Sequence, residues 1–152
     1  MPHIHEKIDY TADIMIVHDN RVLLRKHDKY GKWFMVGGHV ELDEDPAHAA
    51  IREAKEEVGL DIVLVGEKPE ISTAVYENII PPRFMNRHHI NEQHDHIAMV
   101  YFATSESDQV VAEGSDKSDD WRWLTESELD DPELALDELM KFYARTALAE
   151  LA

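Results

Sequence analysis

Apolar and polar residues change rhythm several times along the chain, and each change marks an element. Residues 8–17, IDYTADIMIV, alternate at first and then run apolar, as a strand does on becoming central in a sheet. His18-Asp19-Asn20 is a turn signal, and residues 21–26, RVLLRK, give a second strand, so the pair predicts a hairpin. A polar loop, 27–32, leads to the short apolar strand Trp33-Phe34-Met35-Val36, which stops at Gly37-Gly38. Further on, residues 60–65, LDIVLV, predict a strand that Pro69 interrupts and residues 70–77 continue. Residues 78–95, NIIPPRFMNRHHINEQHD, show no period and read as one long irregular loop, a kind that is usually functional. Residues 96–103, HIAMVYFA, form the clearest later strand; 110–112 predict a short one, 115–120 an acidic loop, and 121–124 the last strand. Trp121 and Trp123 in that strand are expected in core and edge packing. Thr125-Glu126-Ser127-Glu128 has the capping-box pattern and starts a short helix. Asp131 and Pro132 read as cap and first residue of a final helix striped by Leu136, Leu139, Met140, Tyr143, Ala147 and Leu148.

Between the two groups of strands lies the most sharply marked element. Asp45 is a good N-cap, Pro46 fits the first helical position, and Gly59 suits the positive-φ residue past the C-terminus. A helix is therefore predicted from Pro46 to Val58. At about 100° per residue, Ala47, Ala50, Ile51, Ala54 and Val58 form an apolar arc, with Glu53, Glu56 and Glu57 on a second arc beside it. Charge runs of this kind are most often solvated surface. Like charges three and four apart cost an isolated helix roughly 0.2–0.5 kcal/mol per pair, however, and a divalent cation with oxygen ligands would relieve them.

The wider spacing favours the cation. Gly38, five residues, Glu44, seven residues, then Arg52-Glu53-x-x-Glu56-Glu57-x-Gly59 resembles the signature of the Nudix hydrolase family. Val36, Asp43 and Ala54 depart from its commonest form, which touches loop shape and packing but removes no carboxylate. Strands around one acidic helix plus a terminal helix give an α/β/α sandwich with a mixed sheet, which is also the layout the resemblance implies, in a single domain over residues 1–152. The implied reaction is attack of water on a pyrophosphate link in a nucleoside diphosphate joined to another moiety, with Mg²⁺ (or Mn²⁺) as cofactor. Carried over position by position, Glu56 and Glu57 are metal ligands, Glu53 is a ligand or the general base, and the Gly38 carbonyl completes the shell. A later loop is the other source of the base. Arg52 and Glu44 are expected to pair and to orient the helix against its loop.

Charge narrows the partner. The 32 acidic residues exceed the 15 basic ones, for a formal charge of −17. Such a field argues against a nucleic-acid polymer, mRNA decapping included, while a small phosphorylated nucleotide can still bind where metal neutralises the site. Phosphate contacts are sought in Arg83, Arg87, His88 and His89 of the irregular segment, and in Arg25, Lys26, Lys29 and Lys32. Tyr30 or Trp33 could stack on a base, although Trp33 also suits the core. The crowding of His88, His89, His94 and His96 admits a zinc site, but the spacing matches no known ligand motif. The absence of cysteine excludes disulfides and thiolate chemistry, including the Cys-dependent diphosphate isomerases that share the fold. No apolar run reaches membrane-span length and no signal segment opens the chain, so a cytoplasmic protein without membrane contact is expected, and a homodimer is compatible with the sequence. The competing class is a catalytically silent Nudix-fold nucleotide-binding or regulatory module. Such modules usually lose box carboxylates, and here all four are present.

Overall fold

The computed structural model describes residues 7–26, 31–111 and 120–151. Its elements are β1 (Ile8–His18), β2 (Arg21–Lys26), β3 (Trp33–Phe34), β4 (Val36–His39), α1 (Pro46–Val58), β5 (Ile62–Val65), β6 (Phe84–Asn91), β7 (His94–Ser105), β8 (Asp120–Leu124) and α2 (Glu138–Leu151). A 3₁₀ turn, Ser127–Asp130, precedes α2. The strands form one mixed sheet in which β1 runs parallel to β7 from Ile8↔Asp95 to Val17↔Thr104, while every other described pairing is antiparallel.

Alternation along β1 and β7 divides the core into two layers. Ala12, Ile14, Ile16, Met99, Tyr101 and Ala103 face α1. Met15, Val17, Val100 and Phe102 face α2, where Tyr143, Ala144, Ala147 and Leu148 close over them. Full burial of one such aliphatic side chain is worth about 1.5–3 kcal/mol. This is the expected α/β/α sandwich with a mixed sheet. The β1–β2 hairpin also forms as expected, through a two-residue loop in which Asp19 and Asn20 take φ of 49° and 61°. Trp121 and Trp123 pack against the α1-side core.

Four expectations are corrected. Residues 70–77 are not a strand. Both ends of the outer edge of β7 are already taken, by β6 along 94–100 and by β5 along 102–105. The segment instead makes a turn closed by Thr73 N–H to Tyr76 O at 3.0 Å, leaving Ile71, Val75 and Tyr76 exposed. Residues 78–95 are not one irregular loop, because 84–91 form β6, which returns through Glu92-Gln93 into β7. Most side chains of β6 are exposed, so the strand carries no apolar period to read. The final helix begins at Glu138 rather than Pro132. Asp131–Ala135 fold into turns, Ala135 takes φ of 47°, and Asp137 caps the helix by accepting from Leu139 N–H at 2.8 Å. Leu139 is consequently exposed. Finally, Val111 lies in no strand; its N–H donates to Val58 O at the end of α1. Lys29, Tyr30, Ala112 and the loop 115–119 lie outside the described residues.

Candidate active site

The site is built on α1. Asp45 Oδ1 accepts from His48 N–H at 2.9 Å, Pro46 opens the helix, and Gly59 closes it at φ 69° with its N–H on Lys55 O. The small residues Ala47, Ala49, Ala50 and Ala54 are buried and let α1 lie close to β1 and β4. Ile51, expected in the apolar arc, is exposed. The buried face is rotated toward Ala49 and takes in Glu53, which is only 8% exposed. Glu57 is also largely covered, whereas Glu56 looks outward. The three carboxylates thus run from the interior to the surface.

Arg52 ties this array to the preceding loop. Its Nε and Nη2 donate to Glu44 at 3.0 and 2.7 Å, and Nη2 also reaches His39 O at 3.1 Å. Its Nη1 donates to Glu53 Oε1 and Glu56 Oε2, both at 3.0 Å. Glu44 accepts in addition from Glu41 N–H at 3.0 Å. These bonds hold the Glu44 carboxyl below its ordinary value and raise Arg52 further above neutral pH. Arg52 therefore occupies a hub linking β4, the loop and the Glu53 and Glu56 carboxylates of α1.

The inner end is completed from the sheet. Arg25 Nη1 lies 2.9 Å from Glu57 Oε1, and Gly37 N–H donates to Glu57 Oε2 at 3.4 Å. A Cβ on Gly38 would stand 2.4 Å from Glu53 Oε1, so only glycine admits the Glu53 carboxylate there. A Cβ on Gly37 would stand 2.3 Å from Asp13 Oδ1, which brings a third inner carboxylate to the same place. Burial pushes Glu57 up to about 8 and Asp13 up to about 7, and it also raises Glu53. Asp13 accepts from Thr11 Oγ1–H at 3.0 Å. The sequence signal for Asp13 is a single acid inside the apolar run ADIMIV.

A group of buried carboxylates with raised values and a backbone strand beside it fits a hard divalent cation. The available donors are Glu53, Glu56 and Glu57, with the Gly38 carbonyl on the adjoining strand. Next to them opens a cavity of about 490 Å³ between the sheet and α2, lined by Asp13, Arg25, Gly37, His88, His96 and Tyr143 among others. Arg25 and Gly37 belong to both the cavity and the carboxylate group.

The other basic residues are distributed unequally. His88 and Lys32 line the cavity, and desolvation lowers His88. Trp33 is buried and also lines it. Lys26 is exposed at the end of β2 and does not line it. Arg83 pairs with Glu150 on α2 at 2.7 Å and stacks over Phe84. Arg87 pairs with Asp95 at 2.7 Å, and His89 contacts the same carboxylate. Arg83, just before β6, and Arg87 within it thus contact carboxylates of this chain away from the cavity lining, while Arg25 reaches the carboxylate group.

Comparison with known proteins agrees with this arrangement. The profile of the NUDIX domain matches residues 8–146. A relative from Acidiphilium cryptum (strain JF-5), named RNA pyrophosphohydrolase, is 32% identical over 117 residues, covering 76% of this chain and 70% of the relative. The crystal structure of a NUDIX-family hydrolase from Clostridium perfringens is 30% identical, with a TM-score of 0.82 over 95% of this chain and 98% of that one. An Ap4A hydrolase from C. elegans shares the fold at 19% identity, with a TM-score of 0.67 over 94% and 97% of the two chains. The chain belongs to the Nudix hydrolase family and is a pyrophosphohydrolase.

Proposed function

We propose that the protein hydrolyses a pyrophosphate link in a small nucleoside-diphosphate-linked substrate, with a divalent metal ion held by α1. The observation that carries this reading is the shared position of Arg25 and Gly37, which join the cavity to the Glu53–Glu57 carboxylates. In this reading the cavity takes the nucleoside and Arg25 meets a phosphate at its mouth. Glu56, Glu57 and Glu53, with the Gly38 carbonyl, hold Mg²⁺ or Mn²⁺. When bound, the ion supplies charge neutralisation on the phosphates and acidifies water. Glu53 is also taken as the general base, since its carboxylate lies against the Gly38 backbone at the inner end of the array. Arg52 and Glu44 position the helix and touch no substrate. His88 and Lys32 add polar contacts inside the cavity, and Lys26, Arg83 and Arg87 make none there. Cytoplasmic residence fits the cysteine-free chain, and among the described residues no helix is long and apolar enough to cross a membrane.

A second reading rests on the 32% identical relative, whose name specifies RNA. Under it the same carboxylates act on a 5′-triphosphate end. The formal charge of −17 favours the small substrate, since a polymer needs a basic footprint. A hydrolysis screen with Mg²⁺ separates the readings, using nucleoside triphosphates, nucleotide sugars, ADP-ribose, dinucleoside polyphosphates and a 5′-triphosphorylated oligoribonucleotide. Turnover of a small nucleotide with kcat/KM above that of the oligonucleotide supports the first reading, and the reverse order supports the second. No turnover of any of them would overturn both readings and move the substrate outside these classes.

A further inference from the structure

A second group of polar side chains lies on the α2-facing side of the sheet. Asp9 on β1 is in register with His96 on β7, and His96 with His88 on β6. Two residues further along β1, Thr11 pairs with His39 on β4. Asp9 and His94 are 1% and 5% exposed, and His96 lines one wall of the cavity. Asp9, His94 and His96 each offer a ligand atom within 4.8 Å of the others. His94 Nε2 and His39 Nε2 stand 3.4 and 3.6 Å from the same oxygen, Asp9 Oδ2. The His39 and His94 rings lie 4.9 and 5.1 Å from that of His96, both nearly perpendicular to it.

The Asp9–His94 separation is that of two donors around a tetrahedral ion, and His96 offers a third donor in the same group. Two ligands each about 2.0–2.1 Å from Zn²⁺ stand roughly 3.3–3.4 Å apart when their bonds open at the tetrahedral angle. The chemistry agrees with the geometry. Neutral imidazoles with one carboxylate suit Zn²⁺ and neighbouring transition ions, whereas Mg²⁺ takes oxygen donors.

We propose that Asp9, His94 and His96 form a transition-metal site, with Zn²⁺ as the fitting ion, separate from the carboxylates of α1. Three protein ligands leave its fourth position open, with His39 Nε2 at the edge of the group, 3.6 Å from Asp9 Oδ2. The ion clips the start of β1 to the start of β7. Bringing these strands together fixes the end of the cavity wall that His96 provides. The assignment is independent of the hydrolytic reading of α1.

The test uses the full chain free of any added histidine tag, stripped of metal and then held in excess Mg²⁺. Co²⁺ is titrated in as a probe and Zn²⁺ as its competitor. The site predicts one equivalent of Co²⁺ with the intense visible absorption of four-coordinate cobalt, its displacement by Zn²⁺, and a melting temperature that Zn²⁺ raises. Loss of outer partners of metal ligands already costs about 10–100-fold in affinity, so His94→Ala should weaken Co²⁺ binding by at least that range and abolish the Zn²⁺-dependent stabilisation. Should that variant not fold, the imidazole resonances of the unmodified protein serve instead. Zn²⁺ should shift those of His94 and His96 and leave exposed His48 in place. Absence of the four-coordinate spectrum, unchanged binding in folded His94→Ala, or unshifted resonances of those two rings would overturn the proposal.

Discussion

The segment from Glu44 to Gly59 and the strand ends that meet where β1, β4 and β7 pair both gather charged side chains, but they do so by opposite routes. In the first, helix geometry sets the spacing. Glu53, Glu56 and Glu57 recur at helical intervals, and Arg52 reaches three glutamates from one position: Glu44, Glu53 and Glu56. In the second, β pairing sets the spacing. Asp9, His39 and His96 are far apart in sequence and become neighbours only through the registers of β1 with β7 and β4. The contrast shows where chemistry can be read from a chain. Local geometry carries its own pattern, whereas a site assembled across strands leaves none until the topology is known.

The comparison is broken most severely at the metal-binding carboxylates. Glu57→Gln removes the inner ligand and leaves Arg25 facing a neutral amide. If a bound ion contributes several kcal/mol to the transition state, kcat/KM should fall about 10²–10³-fold at 1.36 kcal/mol per decade. Steady-state kinetics with the best substrate of the screen, alongside a far-UV spectrum matching wild type, checks this. A loss under tenfold in a folded variant would count against the ligand assignment.

Next is the hub. Arg52→Ala leaves Glu44 and its neighbours without their guanidinium. Charge-assisted hydrogen bonds contribute about 1.5–3 kcal/mol each when well covered, and the partial exposure of Arg52 discounts this to roughly 2–3 kcal/mol in total. Urea unfolding should show that loss. Combining Arg52→Ala with Glu44→Gln should lose less than the sum of the single changes; additive losses would mean the two side chains work separately. The pair also has a pH signature. The folded-state value of Glu44 is lowered from 4.5, so its contribution is present above the unfolded value and lost as pH falls through the folded one. Stability measured from pH 7 down to pH 3 should therefore fall less steeply in Glu44→Gln than in wild type.

Smaller effects sharpen the outline. Asp45→Ala removes the N-cap bond to His48 N–H and should cost about 1 kcal/mol in the same unfolding assay. The smallest effect is expected just before β6. Arg83 is engaged by Glu150 outside the cavity, so Arg83→Ala should leave both kcat and KM within about twofold of wild type, under roughly 0.5 kcal/mol. Arg25→Ala, by contrast, should raise KM well beyond that. A large KM effect of Arg83→Ala with a normal Arg25→Ala would move the phosphate contacts to the start of β6.

The same contrast explains what could be read beforehand. The caps at Asp45 and Gly59 and the fixed spacing of the glutamates place α1 and its carboxylates before any coordinates are seen. The rotation of its buried face is not legible, because it depends on how closely Ala49 and Ala50 let the helix approach the sheet. Strand β6 was hidden because it is mostly exposed and carries polar residues on both faces, so no period of two survives. The start of α2 was misplaced because Asp131-Pro132 is equally good chemistry for a turn, and Ala135 at positive φ decides between them. Asp13 is invisible as a site residue without the β1–β4 pairing that sets it against Gly37.

The central claim is that the carboxylates of α1 hold a divalent ion beside the cavity. Equilibrium Mn²⁺ binding, followed by the loss of the free-ion EPR signal, tests it without needing the substrate. Full-length wild type should bind Mn²⁺, Mg²⁺ should compete, and Glu57→Gln should weaken the affinity by at least tenfold while His94→Ala leaves it unchanged. Equal Mn²⁺ affinity in wild type and folded Glu57→Gln would contradict the account.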